Sequence, residues 1–115
     1  MEFNITLNYG RDNYLSEFSK KTLQDRYLLE GETSPQDAFG RAAKAFASNE
    51  EHAQRLYDYA SKLYFMFSTP ILSNGGTKRG LPISCFLNYV HDSREGLTNH
   101  YTENAFLSSV GGGIG

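Results

Sequence analysis

Ile83-Ser84-Cys85-Phe86-Leu87-Asn88-Tyr89-Val90 decides the fold. Ile83, Cys85, Leu87 and Tyr89 alternate with Ser84, Phe86, Asn88 and Val90, which puts apolar residues on both faces and the polar Ser84 and Asn88 on one. The pattern predicts a buried strand. A lone buried strand cannot satisfy its backbone donors and acceptors, and no other stretch reads as a partner. The sheet is therefore expected elsewhere, with this chain supplying helices plus the first strand and helix of an α/β unit.

Downstream, His91-Asp92-Ser93 reads as a turn, with Asp92 or Ser93 as cap. Leu97, Tyr101, Asn104, Ala105 and Leu107 predict a helix as far as Val110. The chain then ends in Gly111-Gly-Gly-Ile-Gly115. A glycine run serves where backbone must approach a ligand closely, so this ending predicts that the chain is one portion of a longer fold.

Upstream, Thr69 to Pro82 reads as loop, with turn chemistry at Asn74-Gly75-Gly76 and Pro70 as a helix stop. Before it, Glu50 and Glu51 open a helix capped by Ser48 or Asn49, with Leu56, Ala60, Leu63, Tyr64 and Phe67 as the buried stripe. The preceding boundary is sharper. Ser34-Pro35-Gln36-Asp37 sets a cap, a first-turn proline and a first-turn acid ahead of the stripe Phe39, Ala42, Ala43 and Phe46. Asn13 to Glu30 predicts one or two helical segments stopped by Gly31. Residues 1 to 12 read as an arm.

With 115 residues the chain has room for one domain of modest core. Net charge is −2, the pI is near 5.9, and the basic residues are scattered. Nothing in that distribution marks a nucleic-acid surface. Cys85 is the sole cysteine, which rules out an intrachain disulfide and points to a cytoplasmic protein. No apolar run approaches the roughly 18 residues of a membrane span. Eight Tyr and eight Phe argue against disorder.

The chemistry-bearing candidates each have an ordinary alternative. Cys85 reads first as a buried apolar thiol, because a redox role needs a second thiol that this chain lacks. Thr69 and Ser84 can offer hydroxyls to an anion, although such residues commonly bond local backbone. The glycine run fits a tail or helix cap as well as a substrate loop. Asp92, Ser93 and Arg94 fit a helix cap before a ribose-contacting role. His52, His91 and His100 lack metal-ligand spacing, so no metal is assigned. The Tyr and Phe stripes between 39 and 67 read as core packing.

Taken together, Thr69-Pro-Ile-Leu-Ser, Ile83-Ser-Cys-Phe-Leu, Asp92-Ser-Arg and Gly113-Ile-Gly resemble the large (alpha) subunit of ribonucleotide reductase, over about residues 22 to 115. The Asp25-to-Thr33 segment is similar to bacterial and phage-type members. The resemblance implies an α/β protein in which a helical N-terminal region, residues 1–68, leads into a ten-stranded α/β barrel beginning at residues 69–115, with no ATP-cone domain ahead of it.

It implies that Cys85 is one of two thiols that reduce the ribose 2′ position and become a disulfide. Ser84 would bond the ribose, Thr69 the diphosphate, and Gly113 would border the substrate. Asp92, Ser93 and Arg94 would fall where the family binds the deoxynucleotide or ATP effector.

The implied function is class I reduction of ribonucleoside diphosphates for deoxyribonucleotide synthesis. The implied partners are the remainder of the alpha subunit, a second alpha subunit, a beta subunit whose metallocofactor supplies the radical, and thioredoxin or glutaredoxin acting through a C-terminal segment. The isolated chain is expected to be inactive and partly molten. Two other readings remain open: a class II enzyme using adenosylcobalamin, and a non-catalytic helical module whose strand docks on a partner by sheet augmentation.

Overall fold

The computed structural model describes residues 2–109 and 113–115. Its elements run in the order 3-10 helix Tyr9–Tyr14, α1 Glu17–Arg26, α2 Pro35–Phe46, α3 Glu50–Ser61, α4 Thr69–Asn74, β1 Cys85–Phe86, α5 Arg94–Ser109 and β2 Gly113–Ile114. The described chain is mostly helical, with one small sheet.

Helix α2 is the hub. Its start is fixed locally: the Ser34 hydroxyl accepts from the Gln36 N–H while the Asp37 carboxylate accepts from the Ser34 N–H, a capping box with proline in the first turn. Ala38, Phe39, Ala42 and Ala43 are buried against α3, which contributes Ala53, Tyr57 and Ala60. Leu23 of α1 and Leu72 of α4 complete the core. Phe46, expected in the stripe, is instead 45% exposed, because α2 ends there with its last turn at the rim.

The arm is more ordered than its composition suggests. Phe3, Ile5 and Leu7 are half-buried and alternate with exposed neighbours, the period of an extended strand. Among the described residues no second strand pairs with it. Glu50, Gln54 and Tyr57, one face of α3, take its backbone groups instead: Asn4 N–H donates to Glu50 Oε2 at 3.1 Å, Thr6 N–H to Gln54 Oε1 at 2.7 Å and Asn8 N–H to Tyr57 Oη at 2.8 Å. The seven helical steps from Glu50 to Tyr57 rise about 10.5 Å and the four extended steps from Asn4 to Asn8 about 13 Å, a mismatch that side chains of different length take up over this short span. Gly40 permits the approach, since a Cβ there would lie 2.7 Å from the Leu7 side chain.

Several expected boundaries move. The helix expected between Asn13 and Glu30 is confined to Glu17–Arg26, capped by Ser16, while Gly31 turns the chain further on with φ of 91°. Asn49, one of the two proposed caps, starts α3. This helix ends at Ser61 and not at Pro70. Leu63 adopts φ of 63°, its N–H donates to the Ala60 carbonyl and that of Tyr64 to the Tyr59 carbonyl, closing a Schellman motif on a residue that is not glycine. Leu63 and Tyr64 consequently stand exposed. Pro70, expected to halt a helix, opens one: Thr69–Asn74, expected as loop, forms α4 with proline in its first turn.

The strand expected over Ile83–Val90 is reduced to Cys85–Phe86, and it is not buried. Ile83, Leu87 and Tyr89 are exposed, Leu87 to 93%. Its partner lies within the chain: β1 pairs in parallel with β2, Cys85 opposite Gly113 and Phe86 opposite Ile114, with α5 as the crossover. Gly113-Ile114 gives no strand pattern in the sequence, because a single β-former among glycines has no alternation to read. Helix α5 begins after Ser93, as expected, and is described to Ser109. Val110, Gly111 and Gly112, where the expected helix end and the glycine run begin, lie outside the described residues.

This β1–α5–β2 unit stands apart from the helical core. No described residue of α5 is buried. The described chain measures 57 × 33 × 26 Å with a radius of gyration of 17.5 Å, against about 13 Å for a compact chain of this length.

Candidate functional site

The sheet register brings three of the candidate residues together. Ser84 immediately precedes β1, Cys85 opens it, and Gly113 lies opposite Cys85 and donates its N–H to the Ser84 carbonyl. The Ser84 hydroxyl is 4.0 Å from Cys85 Sγ. Gly115 N–H donates to the Phe86 carbonyl at 2.8 Å and Asn88 N–H to the Gly115 carbonyl at 3.0 Å, which extends the pairing beyond the formal strands. A Cβ on Gly113 would sit 3.3 Å from the Ser84 carbonyl oxygen, so glycine suits this closeness. Cys85 is a free, exposed thiol, which overturns the buried apolar reading. The strand is too short and too little covered to bury it.

Helix α5 is tied to the strand by side chains. Asn88 Nδ2 donates to Asn104 Oδ1 at 3.0 Å, and Asn104 Nδ2 is 2.9 Å from His100 Nε2. At its start, Ser93 Oγ accepts from the Gly96 N–H at 2.9 Å, so Ser93 does act as the cap. Asp92, Ser93 and Arg94 are all exposed.

Thr69 belongs to the other part of the molecule, exposed in the first turn of α4. Its Oγ1 lies 3.1 Å from the Tyr27 hydroxyl. Tyr27 is also held through its backbone: its N–H donates to the Leu23 carbonyl at 3.0 Å and its carbonyl accepts from Arg41 Nη2 at 3.0 Å. Arg41 spends all five of its N–H groups in this region. They go to both carboxylate oxygens of Glu32, to the carbonyls of Leu72 and Gly75 at the end of α4, and to Tyr27. Its side chain is 12% exposed and that of Glu32 15%.

Periodicity gave no warning of this brace. Tyr27 counts as one more apolar residue at helical spacing, and the only hint of Arg41 is a cation set between Phe39-Gly40 and Ala42-Ala43.

Two concavities flank these elements. One of about 380 Å³ is an apolar groove beside Thr69, bordered by Tyr27, Leu63, Met66, Phe67 and Leu72. The other, about 730 Å³, opens between the arm and α2, with Phe3, Ile5, Leu7, Arg41 and Lys44 on its walls. Among the described residues no group of His, Cys, Asp and Glu is placed to hold a metal ion, and no helix is long and apolar enough to cross a membrane.

Asp37, at the capping box, titrates below the ordinary carboxylate value. Burial pushes its pKa up, but hydrogen bonds from the Tyr9 hydroxyl and from the Thr33 and Ser34 N–H groups outweigh this and hold it below the ordinary value. The Tyr9 phenol is raised in turn, chiefly by its bond to Asp37.

The family described as ribonucleotide reductase, all-alpha domain, matches residues 13–80. Among relatives, the ribonucleoside-diphosphate reductase large subunit of Invertebrate iridescent virus 6 is 42% identical over 111 residues, covering 96% of this chain and 12% of that protein. The corresponding subunit of Invertebrate iridescent virus 3 is 46% identical over 112 residues, covering 96% of this chain and 18% of that protein. Subunit alpha of Helicobacter pylori (strain ATCC 700392 / 26695) ribonucleoside-diphosphate reductase is 35% identical over 125 residues, covering 100% of this chain and 16% of that protein. The chain thus spans less than a fifth of the length of these relatives. A family match over residues 13–80, together with relatives aligned along nearly the whole chain, means that this protein belongs to the ribonucleotide reductase large-subunit family.

Proposed function

We propose that this chain contributes part of the substrate site of a ribonucleoside-diphosphate reductase, working with the remainder of a large subunit. The observation that carries the reading is the parallel register that sets Gly113 against Cys85 beside Ser84, in a chain of this family. Cys85 acts as a reductant. Loss of the ribose 2′ hydroxyl as water needs two electrons and two protons, which two thiols supply on becoming one disulfide. Cys85 is the only cysteine here, so the second thiol comes from sequence outside this chain.

Ser84 hydrogen-bonds the ribose, Gly113 lets it approach the strand pair, and Thr69 donates to the diphosphate. Asp92, Ser93 and Arg94, exposed at the start of α5, contact a deoxynucleotide or ATP effector. In this reading residues 69–115 begin the α/β barrel and the uncovered apolar side chains Leu87, Tyr89 and Phe106 are covered by its other strands and helices. A radical-generating beta subunit supplies the initiating radical, a second alpha subunit completes the dimer, and thioredoxin or glutaredoxin restores the thiols. The compartment is the cytoplasm.

The test is Cys85→Ser in the complete large subunit assayed with its radical-supplying partner. Turnover should fall to background while ribonucleoside diphosphate still binds. Turnover at the parental level would remove the reductant role.

A further inference from the structure

Tyr27 and Thr69 are separated by 42 residues of chain, yet their hydroxyls meet at 3.1 Å. We propose that Tyr27 is a positioning residue for the diphosphate contact assigned above to Thr69, an inference that rests on that assignment. A phosphate oxygen at neutral pH only accepts, so the Thr69 hydroxyl must donate to it. The Thr69 oxygen is then free to accept, and the Tyr27 hydroxyl is placed to donate to it. The two hydroxyls and the phosphate form a chain polarised in one sense, each bond strengthening the next. Without the phenol, the threonine hydroxyl is released to rotate and to bond back onto local backbone.

Tyr27 is built to hold this position. Its N–H and carbonyl are both engaged, and the Arg41 guanidinium that binds its carbonyl also binds the Leu72 and Gly75 carbonyls of the segment that begins with Thr69. One planar group therefore ties Tyr27 to α4. Tyr27 and Thr69 both border the groove formed with Leu63, Met66 and Phe67, which seats the ring and leaves Thr69 exposed to a ligand.

The experiment is steady-state kinetics of the complete large subunit with its radical-supplying partner, for Tyr27→Phe, Thr69→Val and the double variant, with thermal melting of each. Loss of one neutral hydrogen bond predicts that Tyr27→Phe raises the KM for ribonucleoside diphosphate about 3- to 10-fold, with kcat within about twofold of the parent. Thr69→Val should raise KM at least as much, and the double variant should be no worse than Thr69→Val alone, because Tyr27 acts through the threonine.

An unchanged KM for Thr69→Val removes the Thr69 assignment, and the Tyr27 role falls with it. A raised KM for Thr69→Val beside an unchanged one for Tyr27→Phe, or a double variant equal to the product of the singles, leaves Thr69 in place and overturns the role of Tyr27. A Tyr27→Phe subunit that fails to fold, or that loses kcat in parallel with a lowered melting temperature, assigns the phenol to stability and overturns the proposal as well.

Discussion

The Tyr57 hydroxyl donates to Gln36 Oε1 at 2.7 Å in a place where both residues are fully buried. Its oxygen accepts from the Asn8 N–H, while Gln36 Nε2 donates to Asp12 Oδ1 at 2.8 Å and the Ser34 hydroxyl to Asp12 Oδ2 at 2.6 Å. One polar chain thus links α3, α2, the 3-10 helix and the arm. Tyr57→Phe keeps the ring but orphans the buried amide oxygen of Gln36, and should cost about 1 to 3 kcal/mol in urea unfolding. The arm should loosen too, seen as faster amide exchange at Asn8.

Arg41 offers a sharper contrast between charge and shape. Arg41→Lys retains the cation but cannot reproduce a planar fork serving Glu32 and three carbonyls, so about 2 kcal/mol of stability should be lost. Arg41→Ala also leaves the Glu32 carboxylate little exposed and without its counter-charge, and should cost about 3 kcal/mol or more. The order of unfolding midpoints, parent above Lys above Ala, checks this. Equal midpoints for Lys and parent would show that charge alone matters.

Acid titration should report on Asp37. Because its folded pKa lies below the ordinary value of 3.8, its contribution to stability is fully present above that value and is lost as pH falls through the folded pKa. Asp37→Asn should lower stability at neutral pH and flatten that acid limb. Tyr9 works in the opposite sense: its raised pKa favours the neutral phenol, so its contribution holds below pH 10.0 and is lost as pH rises through the folded value. Unfolding midpoints across both limbs, for parent and Asp37→Asn, give the comparison.

The two parts of the molecule should also yield differently to protease. The β1–α5–β2 unit has no buried residue in its helix and exposes Leu87, Tyr89, Tyr101 and Phe106, whereas α2 and α3 share a closed core. Limited digestion with chymotrypsin should cut between Phe86 and Phe106 well before it cuts within α2 or α3. Mass spectrometry of the first fragments locates the cuts, and early cleavage within α2 would contradict this ordering.

What could be read from the residues was local. Ser34, Pro35 and Asp37 lie within one helical turn of each other, so their capping chemistry is complete in the sequence, and Asn49 and Ser93 are caps of the same kind. The misplaced boundaries depend on partners far along the chain. The end of α3 was hidden because Leu63, Tyr64 and Phe67 continue its apolar period, and because a left-handed leucine is disfavoured by its Cβ. The arm's order depends on side chains some 46 to 49 residues away. In the candidate site, nearness of Ser84, Cys85 and Gly113 was expected from the resemblance, whereas the length of the strand and its exposure depend on a ladder that no single segment encodes. The Tyr27–Thr69 bond joins residues 42 positions apart that no local pattern pairs.

Arg41 has one more consequence, for the larger cavity between the arm and α2. A guanidinium on a cavity wall would ordinarily beckon anions, but this one faces Glu32 with one edge and carbonyls with the rest, and has no proton left to offer. Of the cations on that wall, Lys44 is the one whose bond, a 3.1 Å pairing with the largely exposed Glu2 at the tip of the arm, is easily traded. To a passing anion, then, the cavity, which sets Glu2, Glu32 and Asp37 against two cations, is a slightly negative room with a single loose latch, and that latch is hung on the arm.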